Sequence, residues 1–113
     1  MIRQPEFVSQ EVFERACREV AKKKPELDPQ KARLETFKEG LCVQSMHTGP
    51  YDTEPETIAK IDGFMEKNGY QNAVGDRNAD GAVRRHHEIY LGDPRKTEPS
   101  KLKTVLRHPA AKV

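Results

Sequence analysis

Residues 86–107 read His86-His87-Glu88-Ile89-Tyr90-Leu91-Gly92-Asp93-Pro94-Arg95-Lys96-Thr97-Glu98-Pro99-Ser100-Lys101-Leu102-Lys103-Thr104-Val105-Leu106-Arg107. In 86–91, His87, Ile89 and Leu91 alternate with His86, Glu88 and Tyr90; in 101–107, Leu102, Thr104 and Leu106 alternate with Lys103, Val105 and Arg107. A period of two is the pattern of a strand, and Asp93-Pro94 bounds the first of them, so the chain closes on a strand pair. Working upstream, 71–83 is rich in Asn, Asp and Gly and reads as a long exposed loop. Before it, Thr53-Glu54-Pro55-Glu56 has the spacing of a capping box and opens a second helix. Its buried face is Thr57, Ile58, Ile61, Phe64 and Met65, and Asn68-Gly69 supplies a left-handed C-terminal cap. Segments 33–37 and 41–47 read as a hairpin broken by Lys38-Glu39-Gly40. The first helix spans 9–24, from the N-cap Ser9 along Val12, Phe13, Ala16, Cys17 and Val20 to Lys22-Lys23-Lys24 and Pro25. Two helices, each followed by a pair of strands, predict an α+β domain, with two helices on one face of an antiparallel sheet.

The length of 113 residues fits one domain, 1–113. With 34% charged residues and a mean hydropathy of -0.89, no apolar run reaches the roughly 18 residues a membrane span needs. The start, Met1-Ile2-Arg3-Gln4-Pro5, has no signal-peptide core, and two cysteines do not make a disulfide scaffold, so a reduced, cytoplasmic protein is expected. The chain has no Trp and only 35% hydrophobic residues, which makes a thin core and its completion in a homodimer plausible. Net charge is +2, but 84–113 holds eight Lys/Arg against three Asp/Glu. That basic segment offers only Tyr90 for stacking, so it reads as a solvated strand face rather than a nucleic-acid surface.

Glu88 is the local oddity, because a carboxylate mid-strand needs a cation, a polar ligand or water. If the helices cover the Ile89 face, then Glu88, Tyr90 and His86 share the open face and can receive an aromatic ligand carrying cationic or hydrogen-bonding groups. The alternative is a solvated face on which Glu88 pairs with Lys103 or Arg107. His47, Gly49, Pro50 and Tyr51 end the strand before the capped helix and sit at a rim. His47 is open to two readings, a hydrogen-bonded structural histidine or a catalyst, and Tyr51 to a staple of the helix start. No metal site is expected. His86 and His87 are adjacent and point to opposite faces, and no zinc pattern is present. Asp76-Arg77-Asn78-Ala79-Asp80-Gly81 fits the first half of a calcium loop, but position twelve is His87 where a bidentate Glu is needed; the same residues make a good turn. Cys17 and Cys42 read as buried small hydrophobes. Phosphate-loop, serine-elbow and dinucleotide motifs are absent, and no cofactor is expected.

Three stretches, Cys42-Val43-Gln44-Ser45-Met46-His47-Thr48-Gly49-Pro50-Tyr51, residues 86–96 and Leu102-Lys103-Thr104-Val105-Leu106-Arg107-His108-Pro109, resemble the GyrI-like small-molecule-binding family. The Met-Ile-Arg-Gln-Pro start and the Lys-Lys-Pro segment are similar to a stand-alone bacterial branch that looks like cyclopropanoid cyclopropyl hydrolases. The resemblance implies two strand-helix-strand-strand modules around a pseudo-twofold cleft, as in multidrug-sensing regulators of the BmrR type that bind planar aromatic cations over a buried Glu. It implies that Glu88 is the functional acid and that Tyr90 assists it, with Gln44, His47, Tyr51 and His86 lining the cleft. The ligand is then a planar aromatic or cyclopropanoid compound, and water adds across the strained ring with a desolvated Glu88 of raised pKa as base. A non-catalytic sequestering or partner-modulating protein is the implied alternative, as is a remnant without ligand function. Relative to that branch the chain corresponds to the C-terminal half, lacking most of a Trp-bearing N-terminal module that two copies would replace.

Overall fold

Two compact units, Met1–Phe37 and Lys38–Val113, make up the chain, and the computed structural model describes all residues 1–113. In the first unit, helix α1 (Gln10–Lys23) begins where expected, with the Ser9 hydroxyl accepting the Val12 N–H at 3.3 Å. It ends with the Lys24 N–H donating to the Val20 carbonyl, and Lys22 and Lys23 in the last turn suit the helix dipole. Its apolar stripe of Phe13, Ala16, Cys17 and Val20 lines an open groove together with Leu27 and Pro29. No residue of α1 is fully buried, so Cys17 is half-buried rather than a core residue. Residues 33–37, expected as one arm of a hairpin, have irregular backbone.

The second unit contains strand β1 (Cys42–Thr48), helix α2 (Glu54–Lys67) and strands β2 (Tyr70–Asn72), β3 (His87–Tyr90) and β4 (Lys103–Lys112). Strand β4 is the centre of the sheet. It pairs antiparallel with β1 on one side, from Cys42↔Pro109 to Thr48↔Lys103. On its other side it pairs with β3, from His87↔Arg107 to Tyr90↔Thr104, and with β2, from Tyr70↔Lys112 to Asn72↔Ala110. The result is the α+β architecture with a four-stranded antiparallel sheet. The partner of β1 is therefore the C-terminal strand and not 33–37. β4 runs five residues past Arg107 because His108, Pro109 and Ala110 remain buried. The short β2 overlaps the start of the stretch expected as loop.

Ile61 and Met65 of α2 pack on Leu106 and Ala110 of β4, with Val43, Ile58 and Tyr70 around them. Burying side chains such as Ile61, Met65 and Leu106 stabilises by about 1.5–3 kcal/mol each. Phe64, expected on this face, is 56% exposed. Gly69, at φ 77°, turns the chain out of α2 in the left-handed region that Gly adopts without cost. At the other end of α2 the expected capping box does not form. Tyr51–Thr53 is a 3-10 turn running straight into α2, so Thr53 (φ -96°, ψ 2°) lacks the extended backbone of an N-cap. Its hydroxyl donates instead to the Pro50 carbonyl at 2.9 Å.

The register decides which face is which. Directly opposed residues of an antiparallel ladder share a face. Ser45, Leu106 and Glu88 therefore lie on one side of the sheet, as do His47, Thr104 and Tyr90, and Leu106 belongs to the α2 core. Helix α2 covers the Glu88 face, and the open face carries Ile89, Met46 and Val105. The reverse was expected from the sequence, because Ile89 is the apolar member of its alternation. The apolar demand of α2 is met by Leu106 and Ala110 of β4, which leaves Ile89 38% exposed.

Candidate functional site

Residues two apart in a strand point the same way, and His86, Glu88 and Tyr90 accordingly converge at the edge of α2. The Glu88 carboxylate accepts a hydrogen bond from the Tyr90 hydroxyl at 2.7 Å and pairs with His86 Nε2 at 3.0 Å. Its side chain is 24% exposed. The hydrogen bond from Tyr90 comes first, and that of His86 adds to it; together they outweigh burial and hold the Glu88 carboxyl below its ordinary range. This corrects the expectation of a raised pKa: burial alone favours the acid, but two donors aimed at the anion favour the carboxylate. In return the Glu88 hydrogen bond, followed by burial, pushes the Tyr90 phenol up to about 12. Tyr90 thus stays a protonated donor through the neutral range.

Across from this strand, the first residue of α2, Glu54, is buried, with 8% exposure, and its Oε1 has no hydrogen-bond donor. Burial first, then the hydrogen bond to Glu88 and that residue's negative charge, raise the Glu54 carboxyl. The two carboxyls thus form an unequal pair in which Glu88 gives up its proton before Glu54. Glu54 was placed by its sequence in a helix cap, and no short-range signal identifies it as a partner of Glu88. Glu54 and Glu88 are 34 residues apart in sequence.

His47 is buried on the same face. Its Nδ1 bonds the Thr57 hydroxyl at 2.7 Å, and its Nε2 bonds the Pro50 carbonyl at 2.9 Å. Since a carbonyl only accepts, Nε2 carries the proton and Nδ1 accepts from Thr57. These contacts are those of a structural histidine fixing the turn into α2. Tyr51, in that turn, meets the Tyr90 ring edge-on with centroids 5.8 Å apart. On the far side the His86 ring abuts the buried His108 ring at 4.8 Å. His108 in turn lies 3.2 Å from Asn72 Nδ2 and 3.8 Å from Asp62. Burial, then the nearby His86, lower its pKa.

The fold therefore brings together Glu88, Tyr90, His86, His47 and Tyr51 and adds Glu54 and His108. Gln44 does not join them. It sits on the opposite face, where its Oε1 accepts from Arg107 Nε at 3.0 Å and Nη2 at 2.8 Å. Arg107 also holds Glu39 at 2.9 Å, so it is not a partner of Glu88. The Asn/Asp loop acts as a turn: Asp80 Oδ1 accepts the Ala82 N–H, Asn78 Nδ2 donates to the Lys38 carbonyl, and Arg77 bridges Val83. Cys42 is half-buried, and burial raises its thiol pKa. No helix is long and apolar enough to cross a membrane.

A carboxylate flanked by a phenol, an imidazole and a second carboxyl, with two tyrosine rings at its open side, is suited to hold a flat ligand by its rings and a polar or cationic group by its acids. A sheet and helix presenting such a face define a small-molecule-binding domain. The chain belongs to the GyrI-like family, whose small molecule binding domain matches residues 8–110. Among solved structures, it is similar to a hydrolase from Listeria innocua at 48% identity and a TM-score of 0.82, covering 96% of this chain and 52% of that one. It is also similar to an uncharacterized conserved protein from Listeria innocua at 50% identity and a TM-score of 0.84, covering 96% of this chain and 50% of that one. The chain thus spans about half the length of these structures. The curated proteins give no match.

Proposed function

We propose that this domain binds planar aromatic compounds, cationic or cyclopropane-bearing, over Glu88, and that with the second half of the site in place it opens the strained ring by adding water. The observation that carries the reading is the half-buried Glu88 carboxylate held between Tyr90 and His86 beside the tyrosine edge. Similarity to a protein described as a hydrolase supports the catalytic form.

In that form Glu88 takes a proton from water as the water oxygen bonds to a ring carbon. The carbon–carbon bond breaks, its electron pair passes through the conjugated system, and the ketone oxygen becomes a phenolate. A proton then converts the phenolate to a phenol, so one water is added in all. Once Glu88 has taken the proton of water it no longer holds the Tyr90 hydrogen as a carboxylate does, and the phenol turns its O–H to the charge developing on the ketone oxygen. A second copy of the chain, supplying the other wall, makes the site whole; a light-scattering mass of a dimer at micromolar concentration is its expected signature.

The non-catalytic reading, a protein that sequesters such ligands or uses them to modulate a partner, is favoured by the 61% exposure of Tyr90, since an open site does not control water. One experiment separates them. A spirocyclopropyl dienone is incubated with the protein and with Glu88→Gln, and the water adduct is followed by chromatography. Catalysis gives adduct formation that the variant loses; saturable binding without adduct supports sequestration; neither binding nor adduct overturns both.

A further inference from the structure

Glu54 is left over from this account, and its surroundings are unusual. Its Oε1 is shut off from solvent, and no donor reaches it. The groups facing it from every neighbouring element are already committed: His47 of β1 to Thr57 and Pro50, and Tyr90 of β3 and His86 to Glu88. Tyr51, in the turn before α2, presents its ring to Tyr90. As a carboxylate, Glu54 would be a buried charge without a hydrogen bond beside a second negative charge, which is the costliest arrangement for a side chain. The α2 N-terminal dipole favours the anion, but its effect is small next to that cost. As a carboxylic acid, Glu54 has a use for its hydrogen, because the Glu88 carboxylate accepts it.

We infer that Glu54 is the proton-bearing half of a two-carboxyl site, and that an aromatic cation settling against Glu88 expels this proton. The inference rests on the binding reading above and specifies the ligand charge that the site senses. In the pH window between the lowered Glu88 and the raised Glu54, the free pair carries one negative charge and one proton. A cation placed beside it stabilises a second negative charge, the Glu54 O–H bond is broken, and the proton goes to solvent. The raised position of the Glu54 carboxyl agrees with this arrangement. A flat neutral ligand of the same shape brings no charge to stabilise the second anion and leaves the proton in place. The site thereby distinguishes cations from neutral rings through proton release, in addition to direct attraction.

The test uses ethidium, a planar cation whose charge does not titrate, and pyrene as a neutral planar ligand. Ethidium binding is measured by calorimetry at several values between about pH 5 and 8, in acetate and MES at the acid end and in phosphate and Tris at the neutral end, pairs whose different ionisation heats report the protons exchanged. The expected result is a release that peaks at up to about one proton per site. It should disappear in Glu54→Gln, measured at ethidium concentrations that saturate this more weakly binding variant, and be absent for pyrene. Release that persists in Glu54→Gln assigns the proton to His86 or His108 and overturns the inference, as does ethidium binding with no release at any pH. Failure of ethidium to bind the wild-type chain counts instead against the binding reading itself. Carbon-13 titration of the wild-type glutamate carboxyls gives an independent check should the variant not fold. One resonance must titrate above the ordinary glutamate range and move down when ethidium is added; a Glu54 resonance within the ordinary range overturns the inference.

Discussion

Replacing His47 by Ala tests the turn that sets α2, and with it Glu54, against the strand bearing Glu88. His47 is 4% exposed and bonds the Thr57 hydroxyl and the Pro50 carbonyl, the latter bond shared with the Thr53 hydroxyl 3.2 Å from Nε2. Each bond contributes about 1 kcal/mol net. Neither partner is stranded by the change: a helical Thr can turn its hydroxyl to the carbonyl four residues back, and Pro50 keeps its bond from Thr53. Loss of the packed ring adds about 1–2 kcal/mol. The sum is a destabilisation of about 3–4 kcal/mol, or a melting temperature lower by roughly 12–16 °C for a chain of this size. Urea unfolding followed by circular dichroism gives the number. Gln44→Ala is the control, because Gln44 lies on the open face and its partner Arg107 retains Glu39; its expected cost is below about 1 kcal/mol. A His47→Ala cost within about 0.5 kcal/mol of wild type, or equal to that of Gln44→Ala, would refute the buried bridge.

Leu106→Ala, at a fully buried position between Ile61, Met65 and Ala110, should cost about 2–5 kcal/mol in the same assay; a cost under about 1 kcal/mol would mean that α2 does not pack there. The raised Glu54 carboxyl gives folding a pH dependence. The folded chain holds this proton above 4.5, the ordinary glutamate value, where the unfolded chain has released it. Stability from this group therefore falls as pH rises from 4.5 through the folded value and is level beyond it. Glu54→Gln should flatten that window, and an unchanged slope would count against the unequal pair. Glu88 works in the opposite sense, its lowered carboxyl adding stability that is present above 4.5 and lost as pH falls through the folded value. Tyr90, displaced to about 12, should be the last of the three tyrosines to ionise in an ultraviolet titration. Tyr90→Phe should remove that late step, whereas its survival would assign the shift to another ring.

The period-two alternation of 86–91 and 101–107 and the helical spacing of both helices made the α+β class legible, because each local pattern agrees with its place in the fold. The hairpin at 33–37 was misread because a short extended segment next to a turn says nothing of its partner, and the ladder of β1 is taken by the distant β4. The face of Glu88 was misassigned for a related reason. Ile89 looks like the inward residue of its strand, but the inward side is fixed by where α2 finds Leu106 and Ala110, which is a matter of register. Of the candidate site, the trio His86, Glu88 and Tyr90 was visible from spacing alone. Gln44 fell on the wrong side by one step of the strand. Glu54 stayed hidden because an acid in the first turn of a helix is ordinary, and its burial against Glu88 arises only from tertiary contact.

The account turns on which face of the sheet receives the ligand, and intermolecular nuclear Overhauser contacts to bound ethidium read this directly. Contacts from the ethidium ring protons to the Tyr51 and Tyr90 rings, with none to the Met46 and Ile89 methyls, are the predicted result. Contacts to Met46 and Ile89 without the tyrosines would place the ligand on the opposite face and contradict the role assigned to Glu88.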